Sequence, residues 1–381
     1  MLTESITKNK SKLIINLDAI IDNWSFLKSK LSKNCICAPV VKANAYGLGA
    51  KIISKALSQS GCSVFLVATL EEGVRLRKDL AKDFRIIVMH DHFFENEDHF
   101  LNYNLTPVLN TGKDMSAWYE FQKLQNKEFN AIIQIDTGMN RLGLSIKEFE
   151  LLIENNQGLN KKNFLYIMSH LSCANTPNDP ANKLQLQKFV KLIKALEMKS
   201  HQPRATLANS SGIFLGPEWH FDMVRPGAAL YGINPIPEKK NMLKQVIDLK
   251  ARILQIRDVN FDETVGYGAN FRFDKKGKVA IVALGYANGL LRSLSKSGKA
   301  HINGIEIKLA GKVSMDLATF DVSNVPDLIL QNCDWIDIIS DKHEIDVLAN
   351  EADTIAYELF TSLGSSVKKE YISEKFEKNY D

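Results

Sequence analysis

The feature that most constrains this chain is a regular alternation, over its first two-thirds, of short apolar runs with longer amphipathic segments. The runs "CICAPVVK" (35–42), "SVFLVAT" (63–69), "RIIVM" (85–89), "TPVL" (106–109), "NAIIQID" (130–136), "FLYIMSH" (164–170), "RATLANS" (204–210) and "DMVRP" (222–226) have strand length. Helix-length pieces such as "PANKLQLQKFVKLIKALEMK" mostly separate them. Eight strand–helix units over roughly 200 residues predict an N-terminal (β/α)8 TIM-type barrel, and a doubly wound open sheet fits the same alternation. From Ile236 the rhythm changes. Beyond the linker-like "GINPIPEKK", the runs "VALGYANG", "KAHING", "IEIKLAGKVS" and "DWIDIIS" are strand-like and divided by turn signals. The reading is α/β plus β, with a barrel over 12–236 and a mainly β domain over 237–381. A chain of 381 residues has ample volume for both cores.

Charge and cysteine usage narrow the function. A formal charge of +4, with 24% charged residues, is too weak to suggest a nucleic-acid or membrane partner. No apolar run approaches the roughly 18 residues of a membrane span. The opening "MLTESITKNKSK" has neither an apolar core nor a small-residue cleavage site, so the chain is expected in the cytoplasm. Cys35, Cys37, Cys62, Cys173 and Cys333 offer neither a disulfide framework nor zinc-ligand spacing, which predicts buried thiols and no metal.

On a barrel, side chains at the carboxyl ends of the strands share one mouth. Lys42 ends the first strand, Asp136 with Arg141 the fifth, His170 the sixth, Asn209 and Ser210 the seventh, and Arg225 the eighth. Each alone has an ordinary reading: a solvated strand-end lysine, a satisfied histidine, a helix cap in "NSSG", a surface arginine before Pro-Gly. Together they predict a cationic pocket with one nucleophilic amine, suited to an anionic cofactor and a carboxylate substrate.

The segments "VVKANAYGLG", "DTGMNRLG", "SHLSCAN", "NSSG", "VRPGAALYG", "VGYGANF", "GYANGLLR" and "GKVSMDLATFDV" resemble, in the same order, the motif series of the alanine racemases. The resemblance runs from about Lys12 to Tyr371. It implies a pyridoxal 5'-phosphate (PLP) enzyme that interconverts L- and D-alanine with two bases and supplies D-alanine for peptidoglycan. It also implies a homodimer with shared active sites, and a first strand, "KLIINL" (12–17), that belongs with the β domain.

By the same resemblance, Lys42 is joined to PLP through its amine and serves as one base, while Tyr267 of the β domain reaches in from the partner subunit as the other. Tyr46, Ser210, the backbone at Gly227 and Ala228, and Tyr357 hold the phosphate, with the helix start after "NSSG" as an anion seat. His170 and Asn209 belong to the same cofactor-binding set. Arg225 stands at the pyridine nitrogen, where a guanidinium that keeps its proton makes the ring a weaker electron sink and favours return of the proton to Cα. Arg141 and the N–H of Met315 hold the substrate carboxylate. A free tyrosine titrates near 10, so Tyr267 needs tuning, for which His170 and the arginines are the candidates. Gly47 and Gly49 allow a tight turn into the next helix.

Four positions depart from the family pattern. Leu48 replaces the usual "YGHG" histidine, Asn288 the acidic residue of "GYADG", and Ala228 a bulkier aliphatic. Gln134 stands where many alanine racemases carry a lysine that takes up carbon dioxide as a carbamate. Its amide is expected to accept a hydrogen bond from Arg141 but supplies no charge. Two other readings remain: a racemase of this architecture acting on serine, lysine or several amino acids, and a non-catalytic PLP-binding barrel protein. The second domain and its "VGYG" tyrosine weigh against the latter.

Overall fold

The computed structural model describes residues 11–125, 129–154, 164–198, 204–364 and 367–375. All but the last two residues of the opening "MLTESITKNKSK" lie outside the described residues. The chain divides into two compact units: one comprises Ile20–Ala45 and Ala50–Leu243, the other Tyr46–Gly49 with the described parts of Met1–Ala19 and Lys244–Asp381.

Strand β1 (Lys12–Asn16) belongs to the second unit. The first unit is built on β2 (Ile36–Cys37), β3 (Val64–Val67), β4 (Arg85–Val88), β5 (Leu105–Leu109), β6 (Ala131–Gln134), β7 (Phe164–Met168), β8 (Ala205–Thr206) and β9 (Met223–Val224). Strands β3 to β8 form one parallel sheet in sequence order, and β2 pairs with β9, also in parallel. Single parallel bridges, Val40 to Leu66 and Asn209 to Arg225, join the two sheets at both flanks. A doubly wound sheet reverses its strand order at a switch point, and no such reversal occurs here.

The strands read as unbroken apolar runs because both faces are covered: every residue of β3, β5 and β6 is buried. Val40, Leu66, Ile87, Val108, Ile132, Tyr166 and Met223 meet in one core cluster. The strands are shorter than the apolar runs. "DMVRP", for example, is a continuous strand only over Met223–Val224; Arg225 adds a single bridge, and Pro226 has no N–H to extend the ladder. Of the helices, Pro180–Glu197 is the longest described; Asp179 caps it by accepting from the Ala181 N–H at 2.8 Å, and Pro180 occupies a first-turn position that needs no donor. Its apolar face buries Phe189, Leu192 and Leu196.

The second unit contains β10 (Ile247–Val259), β11 (Thr264–Val265), β12 (Phe271–Arg272), β13 (Gly277–Val282), β14 (Lys299–Ile302), β15 (Ile305–Leu309), β16 (Ala318–Asp321), β17 (Trp335–Ile339) and β18 (Lys368–Ile372). Its main sheet runs β13-β16-β15-β14-β17-β10-β1-β18, and β13 also pairs with β10, so an antiparallel barrel closes through β10. Length makes the closure possible: Leu249–Arg252 pair with β17 while Ile253–Val259 pair with β13. Strand β1 lies antiparallel to β10 and parallel to β18, with Leu13 and Ile15 fully buried on its inner face.

Two sequence expectations change here. "VALGYANG" contains only the last residue of β13 and continues as a 3₁₀ turn, Tyr286–Asn288. Strand β10 was not among the expected runs, because its second half exposes successive residues and so breaks the alternation that marks a strand.

Candidate active site

Lys42 stands at the start of an uncommon backbone segment. Ala43, Asn44, Ala45 and Tyr46 have φ of 50°, 55°, 54° and 56°, and the Ala45 N–H donates to the Val41 carbonyl at 2.8 Å. This is one turn of left-handed helix, which costs L-residues roughly 1–2 kcal/mol each. Gly47 and Gly49 use the expected turning freedom, with φ of 86° and 110° directly before helix Ala50–Gln59, but the left-handed turn begins earlier, in residues that carry a Cβ. Hydrogen bonds restrain it instead. The Ala43 N–H donates to Glu72 Oε1 at 2.6 Å, and the Ala50 N–H donates to Asn44 Oδ1 at 2.9 Å.

Glu72 escaped the sequence reading. It forms a capping box with Thr69 at the start of helix Leu70–Asp79, and its Oε2 also accepts from the Ala68 N–H at 2.8 Å. The "TLEE" pattern (69–72) signals the cap. Nothing local signals the bond to Ala43, which lies 29 positions away in sequence.

Lys42, Arg141, His170 and Arg225 form one electrostatic cluster. Burial, and after it the Arg141 guanidinium, lowers the pKa of Lys42 below the ordinary lysine value, while Glu72 opposes the shift. Arg225 is buried, and its guanidinium donates to Thr206 Oγ1, to the Ser169 and Leu207 carbonyls at 2.7 and 3.2 Å, and to His170 Nδ1 at 3.5 Å. None of these acceptors is a carboxylate. His170 is pushed down to about 3, by burial first and then by Arg225, Arg141 and Lys42, so the ring is neutral. A guanidinium can only donate, so His170 Nδ1 accepts and the ring proton is assigned to Nε2. His170 thus offers an N–H to a neighbour, not the positive charge that a cationic tuner would bring.

Around Ser210 the expected helix start is absent. "NSSG" leads only into a 3₁₀ turn, Gly212–Phe214, in which Asn209 Oδ1 accepts from the Gly212 N–H at 2.9 Å. One short turn aligns too few peptides to make an anion seat. Ser210 Oγ instead gathers the N–H groups of Gly227 and Ala229 at 3.0 and 3.1 Å, next to the buried Ala228.

In the second unit Tyr46 and Tyr357 face each other with ring centroids 5.9 Å apart. Burial, with Tyr357 adding to it, raises the Tyr46 phenol above its ordinary range. Tyr267 is 72% exposed on a turn that uses positive φ at Gly266, Gly268 and Ala269. With the Asn270 amide nitrogen donating to the Gly268 carbonyl at 2.8 Å, its oxygen accepts from Lys312 Nζ at 2.8 Å and braces this turn. Met315 is 56% exposed, and its carbonyl accepts from the Ala287 N–H at 2.9 Å. Gly285 permits that approach, since a Cβ there would lie 2.3 Å from the Met315 oxygen. Asn288, the replacement for an acid, closes the same turn by accepting from the Gly285 N–H at 3.1 Å.

Residues 15–235 match the family model for the alanine racemase N-terminal domain, and residues 246–371 match that for the alanine racemase C-terminal domain. The alanine racemases of Rhodospirillum rubrum and Rickettsia canadensis are each 40% identical over 359 residues, which is 94% of this chain and 95% and 98% of theirs. The chain belongs to the alanine racemase family. Among solved structures, alanine racemase from Bartonella henselae with covalently bound pyridoxal phosphate matches with a TM-score of 0.88 and 34% identity, over 95% of this chain and 99% of that one. Alanine racemase from Streptomyces coelicolor A3(2) matches at 0.87 and 26%, over 97% and 100%.

This racemase therefore interconverts L- and D-alanine with PLP, and D-alanine supply for peptidoglycan is its general role. The residues suit such a cofactor. Two guanidiniums with no carboxylate partner among the described residues, and an amine biased toward its neutral form, suit an anionic group with an electrophilic carbon. Among the described residues no helix is long and apolar enough to cross a membrane, and no cluster of ligands could hold a metal.

Gln134 behaves differently in this racemase from the sequence expectation. No hydrogen bond joins it to Arg141 among the described residues; its Nε2 donates to the Leu142 carbonyl at 2.8 Å, because the loop folds back over it. Asp136 shapes that loop, with Oδ1 accepting from the Gly138 and Met139 N–H groups at 2.7 and 2.9 Å and Oδ2 from that of Arg141 at 2.9 Å. The Arg141 guanidinium is left without a described counter-ion. Racemisation is expected to run equally fast in buffer stripped of carbon dioxide and after bicarbonate is restored. A clear rise on restoring it means that a carbamate forms on some lysine near this arginine.

Proposed function

We propose that the first unit is a closed (β/α)8 barrel whose mouth holds PLP, and that the active enzyme is a cytoplasmic homodimer in which each barrel is completed by Tyr267 of the other copy. The parallel order of β2 to β9 and the bridges at both flanks support the closed barrel. Support for the dimer comes from the surface around Tyr267. The segment from Gly311 to Leu317 runs beside the Tyr267 and Tyr286 turns, and Tyr267, Tyr286, Met315 and Leu317 are all exposed. Exposed large apolar side chains on neighbouring turns fit a self-complementary interface.

When bound, PLP withdraws electrons from the Cα of the attached amino acid and so acidifies its C–H. Lys42 carries the cofactor and moves a proton at Cα on one face, and the Tyr267 Oη of the partner copy moves a proton on the other. Arg141 and the Met315 N–H that comes with Tyr267 from the partner copy hold the substrate carboxylate in the orientation that presents the Cα–H to both bases. Arg225 would hold the ring nitrogen of the bound cofactor with a guanidinium rather than a carboxylate. Ser210 and the backbone at Gly227 and Ala228 hold the phosphate, with Tyr46 and Tyr357 assigned to it by family resemblance. His170 and Asn209 flank the cofactor. The observation that carries this reading is the half-buried Lys42, biased toward the free amine beside Arg141 and within a cluster that also holds Arg225.

The test uses purified protein. It is expected to convert L-alanine to D-alanine, to lose that activity when PLP is stripped, and to regain it on reloading. A reloaded protein that converts serine or lysine but not alanine overturns the substrate assignment, and one that converts none overturns catalysis.

A further inference from the structure

We propose that Glu72 is a positioning residue for Lys42: its carboxylate ties the Ala43 N–H to the Ala68 N–H and so holds the left-handed turn that starts directly after the lysine. The inference rests on the reading of Lys42 as the cofactor lysine. Four successive residues with a Cβ adopt positive φ here, and Ala43 and Asn44 are exposed, so packing does not hold them in that conformation. What holds the start of the turn is the 2.6 Å bond to Glu72 Oε1.

Glu72 is itself well anchored. Its Oε2 accepts from the Ala68 N–H at 2.8 Å, and it sits in the first turn of helix Leu70–Asp79, where the helix dipole favours an anion. Arg75 is paired with Glu71, and Lys51 lines the same hollow with no ion pair to Glu72 among the described residues. The carboxylate therefore spans two segments that the barrel places side by side, one ending in the reactive lysine and the other starting a helix.

The charge has a second effect. Arg141 acts on Lys42 from one side, and Lys42, Arg141 and Arg225 all act on His170; among the described residues Glu72 is the anion that acts on the lysine. Removing it destabilises the ammonium form, so the pKa of Lys42 falls further. A structural brace of neutral chemistry would not produce that change.

The experiment compares wild-type holoenzyme with Glu72→Ala, Glu72→Gln and the double variant Glu72→Ala with Ala43→Gly. Loss of the brace lets the strand end shift, and a misplacement of about 1 Å can lower turnover by up to about 10²-fold. Glu72→Ala is expected to reduce kcat by about ten- to a hundredfold, with KM for alanine changed much less, because Arg141 still holds the carboxylate. Glycine at position 43 enters the left-handed region without a Cβ clash, so the double variant is expected to recover much of kcat. In protein stripped of PLP, acetic anhydride labelling of Lys42 is expected to shift to lower pH in both Glu72→Ala and Glu72→Gln, and Ala43→Gly is expected not to reverse the shift.

Wild-type kcat in Glu72→Ala, or a loss that Ala43→Gly leaves untouched, overturns the proposal. If Glu72→Ala does not fold, the labelling profile of Glu72→Gln decides, and an unchanged profile overturns it. Borohydride reduction of the wild-type holoenzyme separates this outcome from failure of the underlying reading: a label on a lysine other than Lys42 removes that reading whatever the Glu72 variants do.

Discussion

Replacing Lys42 with alanine is expected to abolish racemisation, by ~10³-fold or more, while the protein stays folded. The same amine both carries the cofactor and serves as a base; a general base alone typically contributes about 10²–10⁴-fold, and the covalent anchor adds to that. The fold is expected to tolerate the change. The Lys42 side chain makes no hydrogen bond to a described residue, and its burial beside Arg141 disfavours the charged form, so truncation relieves a repulsion. Circular dichroism and thermal melting check the fold. Borohydride treatment of the wild-type enzyme, followed by peptide mapping, is expected to find PLP on "APVVKANAYG". Near-normal turnover in Lys42→Ala removes the lysine from the mechanism.

Tyr267→Phe is expected to divide the two directions of the reaction. Racemisation requires a proton to leave one face of Cα and another to arrive on the opposite face, so loss of one base leaves exchange at the other face partly intact. Abstraction from L-alanine is expected to fall by about 10²–10⁴-fold, while exchange of the D-alanine α-hydrogen into heavy water, assigned to Lys42, is partly retained. The ring is exposed and its turn is braced by Asn270 and Lys312, so removing the hydroxyl does not disturb packing. Equal, small losses in both directions take Tyr267 out of the mechanism. Mixing Lys42→Ala and Tyr267→Phe subunits is expected to regenerate activity, because one of the two sites in each heterodimer then has both groups. Verified heterodimers with no recovery place the site within a single chain.

Several of the candidate site positions stood out in the sequence because they lie where short apolar runs end. A strand that stops being apolar at Lys42, His170 or Arg225 exposes a polar group to the mouth of a parallel sheet, and that change is local in the sequence. The states of these groups were not legible. His170 reads as a candidate tuner of Tyr267, yet burial first, and then the arginines and Lys42, keep its ring neutral. Ser210 reads as a helix cap, but no α-helix forms after it, and its hydroxyl serves Gly227 and Ala229 instead. Gln134 reads as a partner for Arg141, and its amide is taken by the backbone of the loop that folds over it.

What the sequence by itself determined is whatever depends on neighbours a few residues apart. The alternation of runs specifies which segments become strands and which become helices, because side chains repeat with period 2 along a strand and 3.6 along a helix. The tertiary structure alone decided the rest. Only β10 contacting both β17 and β13 closes the second unit, and that requires two pairings made by one strand with segments far apart in the chain. The approach of Glu72 to Ala43 restrains the start of the left-handed turn after Lys42, where intrinsic backbone preference points to another conformation. Burial and pairing between residues distant in sequence set these features, and their energies exceed the local preferences from which a sequence can be read.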